Sequence, residues 1–203
     1  MSATLALDLD GTLLSCEPRH CALMRAVCVG DALPASSWPH FWAAKREGAN
    51  NVAALRQLGH TAPEARAAAW AREIEHWPWL GFDRLLPGVA EWLATAGHRV
   101  VVLTARRERF FLLQQLDRLG LSRQIDELIV VLPTQAAERK AEALRKLQPL
   151  AFIGDTESDA AAADAAGQRF LALSCGMRSP DYWARLGRPS FNDLPAALAA
   201  LEP

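Results

Sequence analysis

Cysteine is sparse in this chain, and the four that occur (Cys16, Cys21, Cys28 and Cys175) show no paired spacing. That excludes a sequence-coded zinc ribbon or a disulfide scaffold, and Cys16, His20 and Cys21 read as small packing residues rather than as a metal cluster. Net charge is also missing. The 22 Lys and Arg nearly cancel the 23 Asp and Glu, leaving a formal −1. Such a chain offers no field to attract nucleic acid or an anionic membrane. No apolar run approaches the length of a membrane span. The N-terminus lacks the basic-then-apolar pattern of a signal peptide, so a reduced, cytoplasmic protein is expected. What is present is an apolar half, 51% of 203 residues, enough for a substantial core in one large domain or two small ones.

The most informative residues come first. Asp8-Leu9-Asp10-Gly11-Thr12-Leu13 closes the apolar run Leu5–Leu9, which reads as a buried strand. Alternation places Asp8 and Asp10 on one face, and Gly11-Thr12 forces a sharp turn where the carboxylates emerge. Two carboxylates beside such a turn suit a divalent cation and a phosphate. A second buried strand, Arg99–Thr104, presents Thr104 at its end, followed by Ala105-Arg106. That hydroxyl serves either a phosphate or the start of the next helix.

Farther along, the helix over 136–147 carries Lys140, Leu144 and Leu147 on its inward stripe, whereas Lys146 falls on the polar face. A lysine on an apolar stripe needs anionic partners, which selects Lys140 unless it snorkels out at the helix start. A third strand, 150–154, delivers Gly154-Asp155. Asp159 follows in the first turn of a helix ended by Gly167, where it either joins the site or complements the helix dipole.

These four segments, in this order, resemble the signature motifs of the haloacid dehalogenase superfamily of phosphotransferases and phosphatases. The resemblance implies an α/β, Rossmann-like three-layer core with a parallel sheet, plus an all-helical cap domain. It implies Asp8 as nucleophile and Asp10 as general acid and base. Gly11, Thr12, Thr104 and Lys140 would hold the phosphate. Mg²⁺ would be held by Asp8, the Asp10 carbonyl and Asp155, with Asp159 assisting. An acid at position 10 argues for phosphate esters rather than carbon–halogen or phosphonate substrates.

The rest of the chain divides accordingly. From Leu86 onward strands (99–104, 128–132, 150–154, 169–174) alternate with helices, the last of them (194–201) capped by Asn192 or Asp193. The strand carrying Asp8 must then lie mid-sheet. Residues 1–14 and 86–203 form the expected core, and 15–85 an inserted helical domain. Within the insert, Ser37, Asn51 and a Thr61–Glu64 capping box mark helix starts. Five of seven tryptophans lie there. Trp38 and Trp42, at i and i+4, form either a substrate platform or the insert's own core. Arg19, His20, Lys45 and Arg46 can face a second anionic group or simply be solvated. Arg106, with Ala105, is placed for substrate contact. The expected activity is Mg²⁺-dependent hydrolysis of a small-molecule phosphate monoester through an aspartyl-phosphate. The alternatives are a phosphomutase and a catalytically silent binding domain; action on a polynucleotide end is disfavoured by the charge.

Overall fold

Leu5, Ala6 and Leu7 are fully buried because the strand they form has a neighbour on each edge and helices over both faces. The computed structural model describes residues 3–31 and 33–201; positions 1–2 and 202–203 of the expected core lie outside the described residues. In chain order the elements begin with β1 (Thr4–Leu7), β2 (Leu14–Ser15), α1 (Glu17–Val27), α2 (Ser37–Arg46), α3 (Asn51–Gln57), α4 (Pro63–Glu73) and β3 (Arg84–Leu85). They continue with α5 (Val89–Thr95), β4 (Arg99–Ala105), α6 (Arg109–Arg118), β5 (Glu127–Val131), α7 (Ala136–Leu147) and β6 (Ala151–Gly154). The chain closes with α8 (Glu157–Ala166), β7 (Phe170–Leu173), α9 (Pro180–Arg185), β8 (Ser190–Phe191) and α10 (Leu194–Ala199).

Six strands form one sheet in the order β5-β4-β1-β6-β7-β8, and every neighbouring pair is parallel. β1 is central, as its carboxylates require. Alternation along the strands sorts the core into two layers. Leu5, Leu7, Val100, Val102 and Ile153 pack against Leu93 of α5, Leu112 and Leu116 of α6, and Leu194 of α10. Ala6, Leu103 and Phe152 face Ala141 and Leu144 of α7 and Ala162 and Ala163 of α8. The result is the three-layer α/β architecture expected.

Helices α1–α4 stand apart from these layers and share a cluster of their own built on Met24, Trp38, Phe41, Ala54 and Leu55. The chain enters and leaves them through β2 and β3, an antiparallel pair matching Leu14 with Leu85 and Ser15 with Arg84. So residues 15–85 are not wholly free of strand.

Two helix starts fall one residue earlier than expected. Ser36 and Asn50 are the cap residues, and only Asn50 caps with its side chain, Oδ1 accepting from Ala53 N–H at 2.9 Å. Doubled residues (Ser36-Ser37, Asn50-Asn51) offer two caps a step apart, and backbone geometry decides. The Thr61–Glu64 capping box does not form. His60 Nδ1 takes the Ala62 N–H, and Glu64 turns to Arg56. At the far end the cap is Asp193, accepting from Ala196 N–H at 2.8 Å. Neither α9, capped by Ser179, nor β8 was anticipated; both are short.

One packing choice in the insert is costly. Lys45 is 5% exposed, with its ammonium 2.5 Å from Asn51 Oδ1 and 5.5 Å from the Trp70 ring centre, and no carboxylate pairs with it among the described residues. Burial pushes its pKa down to about 8. The folded state therefore disfavours the ammonium. That cost is carried in full below pH 8 and fades as the pH rises toward the usual lysine value. Replacing Lys45 with Met should raise Tm by a few °C at pH 7, and by distinctly less at pH 10, in thermal denaturation followed by circular dichroism.

Candidate active site

Parallel strands present all their carboxyl ends along one edge, and three of them bring chemistry there. Asp8 follows β1 and is fixed by its N–H on the Ile153 carbonyl, 2.9 Å away. Thr104 is buried near the end of β4, and Asp155 follows β6. From the side, α7 contributes Lys140, whose Nζ lies 2.7 Å from Asp8 Oδ1 and 2.6 Å from Asp159 Oδ1, all three side chains being buried. Lys146 is exposed on the outer face of the same helix. Asp159 has a second duty. Its Oδ2 receives the Thr156 hydroxyl at 2.6 Å and the Thr156 N–H at 3.2 Å, forming the capping box that starts α8. Both of its oxygens are thus engaged.

Asp155 is held differently. Met177 N–H donates to its Oδ2 at 2.6 Å, while its Oδ1 is buried without a partner. Two glycines leave room for this carboxylate. A methyl group on Gly11, whose φ is +78°, would lie 1.8 Å from Asp155 Oδ2, and one on Gly176 would lie 2.2 Å from it. Carboxylate oxygens of Asp8, Asp155 and Asp159 lie within 4.8 Å of one another. Burial raises the Asp8 pKa to about 7 despite Lys140, and burial with the neighbouring Asp8 and Asp159 raises that of Asp155 well above the usual range. Lys140 is disfavoured as a cation by burial, yet Asp159 and Asp8 outweigh this and hold it above the usual lysine range. Three carboxylates against one ammonium leave a surplus of two negative charges. The orphaned Asp155 Oδ1, in an all-oxygen donor set, therefore fits a hard divalent cation.

Asp10 lies apart from this cluster, in a ring of its own. Arg19 Nη2 and Arg106 Nη2 both reach Asp10 Oδ1, at 2.5 and 2.8 Å. Arg19 Nε lies 3.2 Å from Asp83 Oδ1, Gln115 Nε2 donates to Asp83 Oδ2 at 2.7 Å, and Arg106 Nη2 returns to Gln115 Oε1 at 3.4 Å. Burial works to raise the Asp10 pKa, but Arg106 and Arg19 outweigh it and hold the carboxyl below its usual value. Burial takes Asp83 the other way, to about 6. No described residue donates to Asp10 Oδ2. Asp10, Arg19, His20, Trp70, Ala105 and Arg106 help line a cavity of about 390 Å³ between the insert and the sheet edge.

Several expected contacts change. Gly11 N–H donates to Leu14 O and Thr12 N–H to Leu9 O, so neither is free for a phosphate, because the turn consumes them. The N–H groups of Leu9 and Asp10 have no acceptor among the described residues, and the Thr12 hydroxyl is buried without a partner. Thr104 does not cap α6, whose cap residue is Glu108. The tryptophan platform is absent: Trp38 joins the insert core, and Trp42 is buried 5.8 Å from the His20 ring, off the cavity wall that Trp70 occupies. Arg19 faces carboxylates, Arg46 the carbonyls of Ser174 and Arg178, and Lys45 an amide, so none of these three stands unpaired and solvated. Asp83 and Gln115 had not been anticipated, and Arg19, expected to face a substrate anion or solvent, meets Asp10 and Asp83 instead. The signal for Arg19 was present, since it shares the buried stripe of α1 with Leu23, as Lys140 does with Leu144 on α7.

A parallel sheet whose central strands converge a buried Asp–Lys–Asp cluster on one edge defines an α/β, Rossmann-like scaffold with its candidate site at the carboxyl ends of the strands. The sequence model of the haloacid dehalogenase-like hydrolases matches residues 3–167, and the chain belongs to that family. A search of curated protein sequences finds no match. Among solved structures, a haloacid dehalogenase-like family hydrolase from Streptococcus pneumoniae superposes with TM-score 0.73 at 16% identity, covering 98% of this chain and 97% of that one. A predicted phosphoglycolate phosphatase from Haemophilus somnus gives 0.68 at 19%, covering 99% and 98%. Protein tyrosine kinase A of Mycobacterium tuberculosis gives 0.72 at 20%, covering 100% and 99%. Likeness at such identities carries the fold alone. No helix of the described residues is long and apolar enough to cross a membrane.

The crowding at Gly11 gives a direct test. Gly11→Ala should lower Tm by several °C in thermal denaturation, since a positive φ and a clash with a buried carboxylate combine. A neutral result would mean that Asp155 is not seated against this turn.

Proposed function

We propose that this chain is a magnesium-dependent phosphatase that hydrolyses a small-molecule phosphate monoester through an aspartyl-phosphate. The observation carrying this reading is the buried Asp8–Lys140–Asp159 cluster with its surplus negative charge beside Asp155. Asp8, Asp155 and the Asp10 carbonyl would hold the cation. Asp159 serves chiefly to hold Lys140, both of its oxygens being engaged. A bound Mg²⁺ would neutralise charge between Asp8 and the incoming dianion and polarise the phosphoryl oxygens.

The protein's own groups do the rest. Asp8 attacks phosphorus and the ester P–O bond breaks, with Asp10 giving its proton to the leaving oxygen. Water then attacks the aspartyl-phosphate while Asp10 takes its proton, releasing phosphate and restoring Asp8. Asp10, held ionised by Arg106 and Arg19, is ready as the base. The approach of a phosphate dianion adds negative charge beside it and favours the protonated, acid form. Lys140, the Thr104 hydroxyl and the free N–H groups of Leu9 and Asp10 suit the equatorial oxygens, in place of the Gly11 and Thr12 N–H groups. The leaving alcohol fits the cavity lined by Trp70, Ala105 and Arg106. Residues 15–85 act as a cap over the core of 1–14 and 86–203, excluding water while phosphoryl transfer proceeds.

The test is phosphate release from a panel of small phosphomonoesters with Mg²⁺ and with EDTA. Release should require metal, vanish in Asp8→Asn, fall about 100-fold or more in Lys140→Ala and stay within about twofold in Lys146→Ala. Full turnover by Asp8→Asn, or equal losses for the two lysines, would overturn this reading.

A further inference from the structure

The ring around Asp10 draws on residues that no motif names, and two of them come from the insert. Arg19 lies in α1 and Asp83 just before β3, whereas Asp10, Arg106 and Gln115 belong to the sheet half of the molecule. Arg19, Asp83 and Gln115 are each no more than 2% exposed, and Arg106 is 4% exposed. Burying two guanidiniums and the Asp83 carboxylate against a half-buried Asp10 is costly unless they hold one another in a defined geometry. The geometry is specific. Both guanidiniums converge on Oδ1 of Asp10, so its carboxyl group cannot rotate without breaking two ion pairs, and Oδ2 is the oxygen left without a donor. Gln115 then fixes Asp83 through Oδ2, and Asp83 Oδ1 faces Arg19 Nε at 3.2 Å as an ion pair without hydrogen-bond alignment. One link depends on reach: a guanidinium fork spans Asp10 and Asp83 at once, which a single ammonium cannot do.

We propose that Arg19, backed by Asp83 and Gln115, is a positioning residue that acts through Asp10, aiming its Oδ2 at the leaving-group oxygen. Because Arg19 rides on the insert, the ring is complete only when the insert is seated on the sheet edge. Proton donation and closure are thereby linked in one contact. This rests on the reading of Asp10 as general acid and base.

Leaving groups separate this role from a merely structural one. An alkyl phosphate expels a poor leaving group and needs the proton, whereas p-nitrophenyl phosphate expels a stable phenolate and does not. The value of kcat/KM reports phosphoryl transfer to Asp8, before the hydrolytic step that both esters share. The experiment measures kcat/KM on glycerol phosphate and on p-nitrophenyl phosphate, with Mg²⁺, for wild type, Asp10→Asn, Arg19→Met, Arg19→Lys and Gln115→Met. Tm is recorded for each.

Arg19→Met should lose about 30-fold or more on the alkyl ester and no more than about threefold on the aryl ester. Arg19→Lys should restore only part of the difference. Gln115→Met leaves both arginines in place and carries the test if Arg19→Met does not fold. It should show the same bias in smaller measure, at least about threefold. Equal losses on the two esters, or none, in folded Arg19→Met or in Gln115→Met would overturn the proposal while leaving the phosphatase reading intact if Asp10→Asn still discriminates. If Asp10→Asn itself fails to discriminate, the general-acid reading falls, and this proposal falls with it.

Discussion

The ammonium of Lys140 between Asp8 and Asp159 is the contact on which the rest of the site depends. Without it, three carboxylates within a few ångströms would meet on a buried edge with no positive charge among them. With it, Asp8 has one oxygen fixed and α7 is pinned to α8. The cluster as a whole keeps a surplus that one divalent cation would cancel. Much of the surrounding fold serves this arrangement. The sheet order puts β1 between β4 and β6, α7 and α8 cover the same face, and Gly11 and Gly176 give up their side chains so that Asp155 can approach.

The acids of the site sit in unlike surroundings. Asp8 and Asp155 sit where burial dominates and push toward protonation, whereas Asp10 sits between two arginines and is held ionised. For the proposed chemistry Asp8 must be ionised, which a cation bound beside it would favour, and Asp10 must gain a proton before it can give one. The cavity beside Asp10 has little free charge to offer a substrate. Arg19 and Arg106 are matched by Asp10 and Asp83, Glu75 receives the Arg107 and Glu108 N–H groups, and burial holds His20 well below its usual pKa and so neutral.

Much of this was legible in the residues, for physical reasons that also explain the failures. The strands carrying Asp8, Thr104 and Asp155 announce themselves because parallel, doubly covered strands must be apolar until they end. Lys140 stands out because a cation on an apolar stripe requires a partner. The same rule applied to Arg19, but helix periodicity in the insert gave a direction without saying what lay in that direction. The tryptophans left the same kind of choice open, between a platform and the insert's own core. The i, i+4 spacing puts Trp38 and Trp42 on one side of α2, and only packing decides that this side faces the insert core and His20 rather than a ligand. The N–H groups of Gly11 and Thr12 were misassigned because a turn tight enough to present Asp10 uses its own amides to close.

The pairing of β2 with β3 has a consequence for how such a molecule can vary. Leu14 and Leu85 lie side by side, so everything between them enters and leaves through a single doorway, and the sheet would keep its order whatever was spliced in there. In most respects the helices of the insert are thus interchangeable freight on a fixed chassis. Arg19 and Asp83 break that independence. A different insert would bring its own face to the cavity, but it would also leave Asp10 with one arginine instead of two. Exchange at this doorway therefore cannot change the wall of the cavity without also changing the charge that surrounds Asp10.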